Sequence, residues 1–211
     1  MNTIVDNIIK SGLVAVVRAK SADEALKIVG ALQKGGVKAI EITYTVPGAT
    51  KVIEALKAEY KNTDMIIGAG TVLDPETARI AILAGAEFVV SPYLNTDMVK
   101  LANRYDIPSM PGAMTIKEVV EAMECGASII KAFPGDVLGI KFIKSILGPL
   151  PHAKLMPTGG VDINNVGDWI KAGCIAIGAG SNLTAHSKTG EYDKIIDAAK
   201  EFIAAINKAR V

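Results

Sequence analysis

The chain has 211 residues, 50% of them apolar and 21% charged, with 23 basic side chains against 22 acidic ones. That length suits one α/β unit with a continuous core, and a formal net charge of +1 excludes the broad basic footprint that nucleic-acid binding requires. Two cysteines, Cys125 and Cys174, are too few for a disulfide framework and read as thiols in apolar surroundings, and no HxH, HExxH or CxxC spacing marks a metal site.

A short helix is predicted over 3–10. The stretch MNTIVDNIIKSGLVAVVRAK breaks its apolar groups with polar residues, and no run in the chain is long enough to span a bilayer. A cytoplasmic, soluble protein with no membrane partner is expected. The first β-branched run, 13–17, is closed by Arg18, and 22–35 follows with Ala25, Ile28, Val29 and Leu32 at helical spacing. Run 39–43 places Glu41 among apolar neighbours and precedes a helix over 49–60. Run 65–69 leads into the GAGT segment ending at Thr71, then a helix over 76–84. Run 88–91 is followed by Pro92 and a helix over 96–105, and run 109–112 by a helix over 116–125. Run 128–131 ends on Lys131, with Phe133 just beyond and a helix over 138–147. Run 154–158 opens into Gly159 and Gly160 before a helix over 164–171, and run 174–178 into Gly180 and Ser181 before a last helix over 192–209.

Successive runs start 19 to 26 residues apart, the repeat of a strand, a loop, a helix and a second loop. Eight such pairs without a hairpin signal imply parallel strands covered by helices. No GxGxxG follows the first strand, so a dinucleotide-binding sheet is disfavoured. The expected architecture is a single compact (β/α)₈ TIM barrel over residues 1–211, with the N-terminal helix as an addition.

In that architecture strand C-terminal ends converge on one mouth. Arg18, Glu41 and Lys131 all close or interrupt apolar strands, where charges are rarely buried unless paired. Lys131 has two readings: a lysine snorkelling or paired with Glu41, or an amine made nucleophilic by a dry pocket. Glu41 is correspondingly a counter-ion, a proton carrier, or both. Arg18 can hold a carboxylate or phosphate, or pair with Asp23 or Glu24 at the surface. Thr71 offers a hydroxyl beside small residues, although a helix N-cap is the commoner use. Gly159, Gly160, Gly180 and Ser181 lie after the last two strands, where barrels often bind phosphate through loop amides. Tight turns without a ligand are the alternative there.

With these residues placed, the chain resembles the bacterial 2-dehydro-3-deoxy-6-phosphogluconate aldolase family, which includes 4-hydroxy-2-oxoglutarate aldolases. The resemblance runs through VAVVRA, EITYTVPGA, IGAGTV, FVVSP, MPGAMT, IIKAFPG, MPTGGV and IGAGSNL, over nearly the full length. It implies a class I aldolase, acting without cofactor or metal, that releases pyruvate and, from the phosphorylated substrate, glyceraldehyde 3-phosphate. Lys131 then matches the Schiff-base lysine and Glu41 the proton-transferring glutamate. Thr71 matches a residue near the pyruvate carboxylate, and Arg18 contributes to anion binding. Gly159, Gly160, Gly180 and Ser181 fall in the phosphate loops, and Pro92 and Phe133 line the pocket. The resemblance also implies a homotrimer and a place in Entner–Doudoroff carbohydrate metabolism. This chain has Thr45 where many relatives carry arginine, which leaves open the preference between phosphorylated and unphosphorylated substrates. The competing readings are a sugar-phosphate isomerase, epimerase or synthase on the same barrel, and a non-catalytic binding barrel.

Overall fold

A computed structural model describes residues 3–211; Met1 and Asn2, the first two residues of the expected 1–211 unit, lie outside the described residues. Helix α1 (Thr3–Ser11) precedes an alternation of parallel strands and helices. The order is β1 (Leu13–Val17), α2 (Ala22–Lys34), β2 (Ala39–Thr43), α3 (Ala49–Glu59), β3 (Ile66–Gly70), α4 (Pro75–Leu83), β4 (Val89–Val90) and α5 (Thr96–Arg104). The second half holds β5 (Ser109–Met110), β6 (Gly112–Ala113), α6 (Ile116–Glu124), β7 (Ile130–Ala132), α7 (Gly135–Leu147), β8 (Leu155–Pro157) and α8 (Val166–Lys171). It ends with β9 (Ile177–Ala179), the short α9 (Ser181–Thr184), a 3-10 turn and α10 (Tyr192–Ala209). No helix among the described residues is long and apolar enough to cross a membrane.

The strands form two curled parallel sheets, ordered β5-β4-β3-β2-β1-β9 and β6-β7-β8. The expectation of one closed eight-stranded ladder is therefore met only in part, and prolines stand at both breaks. Pro111 separates β5 from β6 and has no N–H to donate, so the fifth predicted strand becomes two short pieces. Pro157 ends β8. Because the Thr158 N–H donates to Ala132 O on β7, the missing donor of Pro157 faces β9. Contact there is reduced to a Thr158–Gly178 bridge and the Ile175 N–H donating to Leu155 O.

Alternation along each strand sorts the core into two parts. One set, including Leu13, Ala15, Ile40, Ile42, Ile67 and Ile177, packs under the helices in the larger cluster. The opposite set, Val14, Ala39, Ile66, Phe88, Val90, Met110, Ile129, Met156 and Ala176, forms a second cluster on the concave face. Val5 and Ile8 of α1 join that second cluster, so the N-terminal helix plugs the concave face. Cys174 is buried in the outer core and its thiol is pushed up to about 12 by burial, while Cys125 is only partly buried.

Several helices are capped at the junction that follows a strand. Ser21, Asp74, Asn95 and Thr115 accept from Glu24, Thr77, Met98 and Glu118 backbone N–H groups respectively, and the Glu118 carboxylate returns the bond to the Thr115 N–H. Each cap stabilises its helix by about 1 kcal/mol and sets the path of the loop before it. Helix α7 is two helical pieces joined at a kink, with Gly139 at φ 68 and ψ 171, so the predicted 138–147 helix is continuous only from residue 140 on.

Midway up the concave face the packing leaves no spare volume at Gly68, where a Cβ would lie 2.3 Å from the buried Phe88 ring. Gly68→Ala is expected to cost about 1–3 kcal/mol, as overpacking of a full core does. Urea titration against the wild type measures it.

Candidate active site

Above the apolar layer the concave face changes character. Its next positions on the strands are Glu41, Gly68, Gly70, Gly112, Lys131, Thr158, Gly178 and Gly180, which removes side-chain volume around the few polar groups that remain. Strand registers set Glu41 opposite Gly68 and Lys131 opposite Gly112, so each charged group has a glycine beside it. A Cβ on Gly70 would come within 2.8 Å of Glu41 Oε1, and one on Gly112 within 2.2 Å of the Pro92 carbonyl oxygen. The glycines let these neighbours close in and pack the upper concave face tightly.

Lys131 and Glu41 meet in it. The Lys131 Nζ lies 3.8 Å from Glu41 Oε1, and the two residues are 4% and 1% exposed. The Phe133 ring packs with its centroid 5.0 Å from the same nitrogen. Burial pushes the Lys131 ammonium below the usual lysine range; the Glu41 carboxylate opposes this and the Arg18 charge reinforces it. Burial likewise pushes Glu41 above the usual carboxylate range, against the pull of Lys131 and Arg18. Attraction of two unit charges at this separation is roughly 4 kcal/mol at an effective dielectric of about 20, while desolvation costs several kcal/mol for each ion. Desolvation wins, and both groups move toward their neutral forms. The arrangement can therefore present a free amine beside a carboxyl able to give and take a proton.

A second cluster lies alongside. Arg18, Phe133, Gly159, Gly160, Gly180 and Ser181 line one narrow cleft of about 50 Å³, together with Thr158 and Asn182. Gly159 and Gly160 are both left-handed, at φ 94 and 69, and a Cβ on Gly160 would lie 2.5 Å from that of Asp136, so only glycine fits the turn. Gly180 caps α9, whose opening amides at Ser181 and Asn182 have no intrahelical acceptor. Arg18 is exposed and makes no ion pair among the described residues; Glu24 instead accepts from the Lys20 N–H at 2.7 Å. The cleft joins one guanidinium to backbone donors, which is the chemistry of an anion site.

Every predicted site residue thus borders one of two adjoining regions, although Thr71 and Pro92 do so through neighbours. Thr71 follows Gly70, and Pro92 is the residue whose carbonyl abuts Gly112. Two features were missed from sequence. Thr71 has φ 55, a left-handed conformation that is a genuine outlier for a β-branched residue, and nothing in GAGT signals it. Thr158 is 4% exposed and its hydroxyl has no hydrogen-bond partner among the described residues. Its place at the mouth was expected, since Thr158 closes the predicted 154–158 run; the lack of a partner for its hydroxyl was not.

A concave α/β mouth holding a buried amine, a buried carboxyl and an anion cleft is that of a carbonyl-processing enzyme. The sequence profile of the aldolase family described as KDPG and KHG aldolase matches residues 4–198, and the chain belongs to that family of carbon–carbon lyases. It is 36% identical over 168 residues to the 2-dehydro-3-deoxy-phosphogluconate aldolase of Haemophilus influenzae, covering 79% of this chain and 78% of that protein. It is 32% identical over 205 residues to the KHG/KDPG aldolase of Escherichia coli, covering 95% of each. Among solved structures, the KDPG aldolase of Legionella pneumophila with pyruvate captured as a covalent carbinolamine superimposes with a TM-score of 0.86 at 28% identity, over 93% of this chain and 96% of that one. The family decides against the isomerase, epimerase, synthase and non-catalytic readings.

The buried pair has a stability consequence. Unfolded chains bind more protons than folded ones between the lowered Lys131 value and that of a free lysine, so stability rises with pH across that window. Folded chains bind more between the free glutamate value and the raised Glu41 value, so stability falls with pH across that lower window. Replacing both groups by apolar ones, Lys131→Met with Glu41→Leu, is expected to raise the unfolding free energy at pH 7 by about 1–4 kcal/mol while abolishing turnover; urea titration of the wild type across pH tests both slopes.

Proposed function

We propose that the protein is a class I aldolase that reversibly cleaves 2-dehydro-3-deoxy-6-phosphogluconate to pyruvate and glyceraldehyde 3-phosphate. The same chemistry extends to 4-hydroxy-2-oxoglutarate, which yields pyruvate and glyoxylate. The observation that carries this reading is the pair of buried groups, Lys131 Nζ and Glu41 Oε1, 3.8 Å apart at the strand ends. Neutral Lys131 attacks the C2 ketone, and Glu41 moves the protons that let the carbinolamine lose water to an iminium. Glu41 then takes the C4 hydroxyl proton as the C3–C4 bond breaks. The electrons of that bond pass into the iminium, giving an enamine of pyruvate and freeing the aldehyde. Protonation of the enamine at C3 and hydrolysis of the imine release pyruvate and restore the amine.

The Arg18 guanidinium and the amides around Gly159, Gly160, Gly180 and Ser181 hold the phosphate. Thr71 faces the keto-acid carboxylate, with Pro92 and Phe133 as apolar walls. No metal or organic cofactor is needed for these steps. The Phe133 and Gly112 environment keeps water from the amine, which preserves its neutral form.

The two sheets act as one closed (β/α)₈ barrel in a single domain over 1–211, a reading supported by the Thr158–Gly178 bridge and by Pro111 joining β5 to β6. A cytoplasmic role in Entner–Doudoroff carbohydrate metabolism follows from the substrate. Exposed Ile80 and Leu83 on α4, with Ile116 and Val120 on α6, support assembly, and the assembly is a homotrimer.

Borohydride treatment with pyruvate is expected to leave a stable pyruvyl adduct on the Lys131 peptide by mass spectrometry. Lys131→Ala should lose the adduct and essentially all turnover, and wild-type kinetics from that variant would end the assignment. Glu41→Gln is expected to lower kcat by about 10²–10⁴-fold, in line with general acid–base catalysis, with the imine still trappable. Coupled assay of pyruvate release from both substrates ranks them. Light scattering should give a mass three times the 22.1 kDa chain; a persistent monomer would sink the trimer and leave the chemistry standing.

A further inference from the structure

The left-handed backbone at Thr71 has to be held by something. A β-branched residue at φ 55 is disfavoured roughly tenfold or more against its ordinary conformations, and such strain persists only where surrounding bonds over-determine it. The restraints come mainly from the next loop. The Val72 N–H donates to Val90 O at 3.0 Å, tying the segment to β4. One residue on, the Leu73 carbonyl accepts two side-chain bonds: from the Tyr93 hydroxyl at 2.7 Å and from Asn95 Nδ2 at 3.0 Å. Asn95 Nδ2 also donates to Tyr93 Oη at 3.0 Å, while Asn95 Oδ1 accepts from the Met98 N–H and so anchors the group to the start of α5.

We infer that Tyr93 and Asn95 are positioning residues for the keto-acid subsite, clamping the Leu73 carbonyl and through it the strained Thr71 backbone. The inference rests on the Schiff-base reading proposed above. Thr71 directly follows Gly70, whose backbone packs against the Glu41 carboxyl so closely that a Cβ would sit 2.8 Å from Oε1. Release of the Leu73 carbonyl lets Thr71 relax toward negative φ, which turns its hydroxyl and amide away from the carboxylate they face. Tyr93 itself is an exposed side chain at the rim, and neither it nor Asn95 touches the reacting atoms in this scheme. Their effect is on binding, not on the chemical step.

The test is the concentration of pyruvate that half-saturates borohydride trapping on Lys131. Tyr93→Phe removes one bond to Leu73. Asn95→Asp removes another while keeping the acceptor that caps α5. Each is expected to raise half-saturation about three- to tenfold, the usual worth of one hydrogen bond, with the limiting trapping rate little changed. The same Tyr93→Phe change is then made in a Thr71→Gly chain, where a left-handed residue carries no strain and needs no clamp. There it should shift half-saturation less than about twofold, the coupling that a double-mutant cycle reports. An equal shift in both backgrounds means Tyr93 serves the fold generally, and overturns the inference. So does an unmoved half-saturation in both single variants while the wild type still forms its adduct. No adduct on Lys131 in the wild type overturns the proposed chemistry, and the inference falls with it.

Discussion

Taking an amine and a carboxyl out of water side by side is the constraint around which this molecule is arranged. At 3.8 Å their attraction does not repay the desolvation of both as ions, so burial pushes Lys131 below and Glu41 above their ordinary ranges. That is a poor way to stabilise a fold, and it is the arrangement that the proposed imine chemistry calls for. A lysine in water is almost wholly protonated at neutral pH and attacks carbonyls slowly. Burial works against that obstacle, and in the proposed chemistry the adjacent Glu41 carries the protons.

The concave face is built in two layers. The lower concave face is filled by Phe88, Met110, Ile129 and Met156 and plugged by Val5 and Ile8 of α1. The upper face has glycines at 68, 70, 112, 178 and 180, and the missing side chains let Phe88, the Glu41 carboxyl, the Pro92 carbonyl, the Thr158 hydroxyl and Arg18 approach the backbone closely. Floor and glycine backbone together keep Lys131 and Glu41 almost wholly out of water.

Rigidity reaches the rim through polar contacts that belong to the loops. Helix caps at Ser21, Asp74, Asn95 and Thr115 anchor the chain immediately after strand ends, where site residues leave the sheet. The anion cleft is held similarly, with the Gly135 N–H donating to Thr158 O and Asn182 Nδ2 donating to Val161 O. Thr43 ties β2 to β1 by donating to Val17 O, and its hydroxyl also meets that of Thr45 at 2.7 Å. Thr45 is thus a neutral exposed group bound to a neighbour and adds no charge beside Arg18.

Much of this was legible in one dimension. The 19- to 26-residue repeat of apolar runs and helical stretches depends only on local periodicity, and the runs placed each strand within a few residues. Charged or small residues at strand ends stood out because their neighbours are apolar, and they marked Arg18, Glu41, Lys131 and the two glycine turns. What periodicity could not reveal is which of those ends touch. Glu41 and Lys131 lie on β2 and β7, in different sheets, and only the curl of both brings them to 3.8 Å. The breaks in the ladder at Pro111 and Pro157, the left-handed Thr71 and the unpartnered Thr158 hydroxyl likewise depend on what each residue meets across the fold. A sequence records the preferences of a residue for its own backbone and for water or oil; the tertiary structure decides its partners, and burial beside those partners turned an ordinary lysine into a candidate nucleophile.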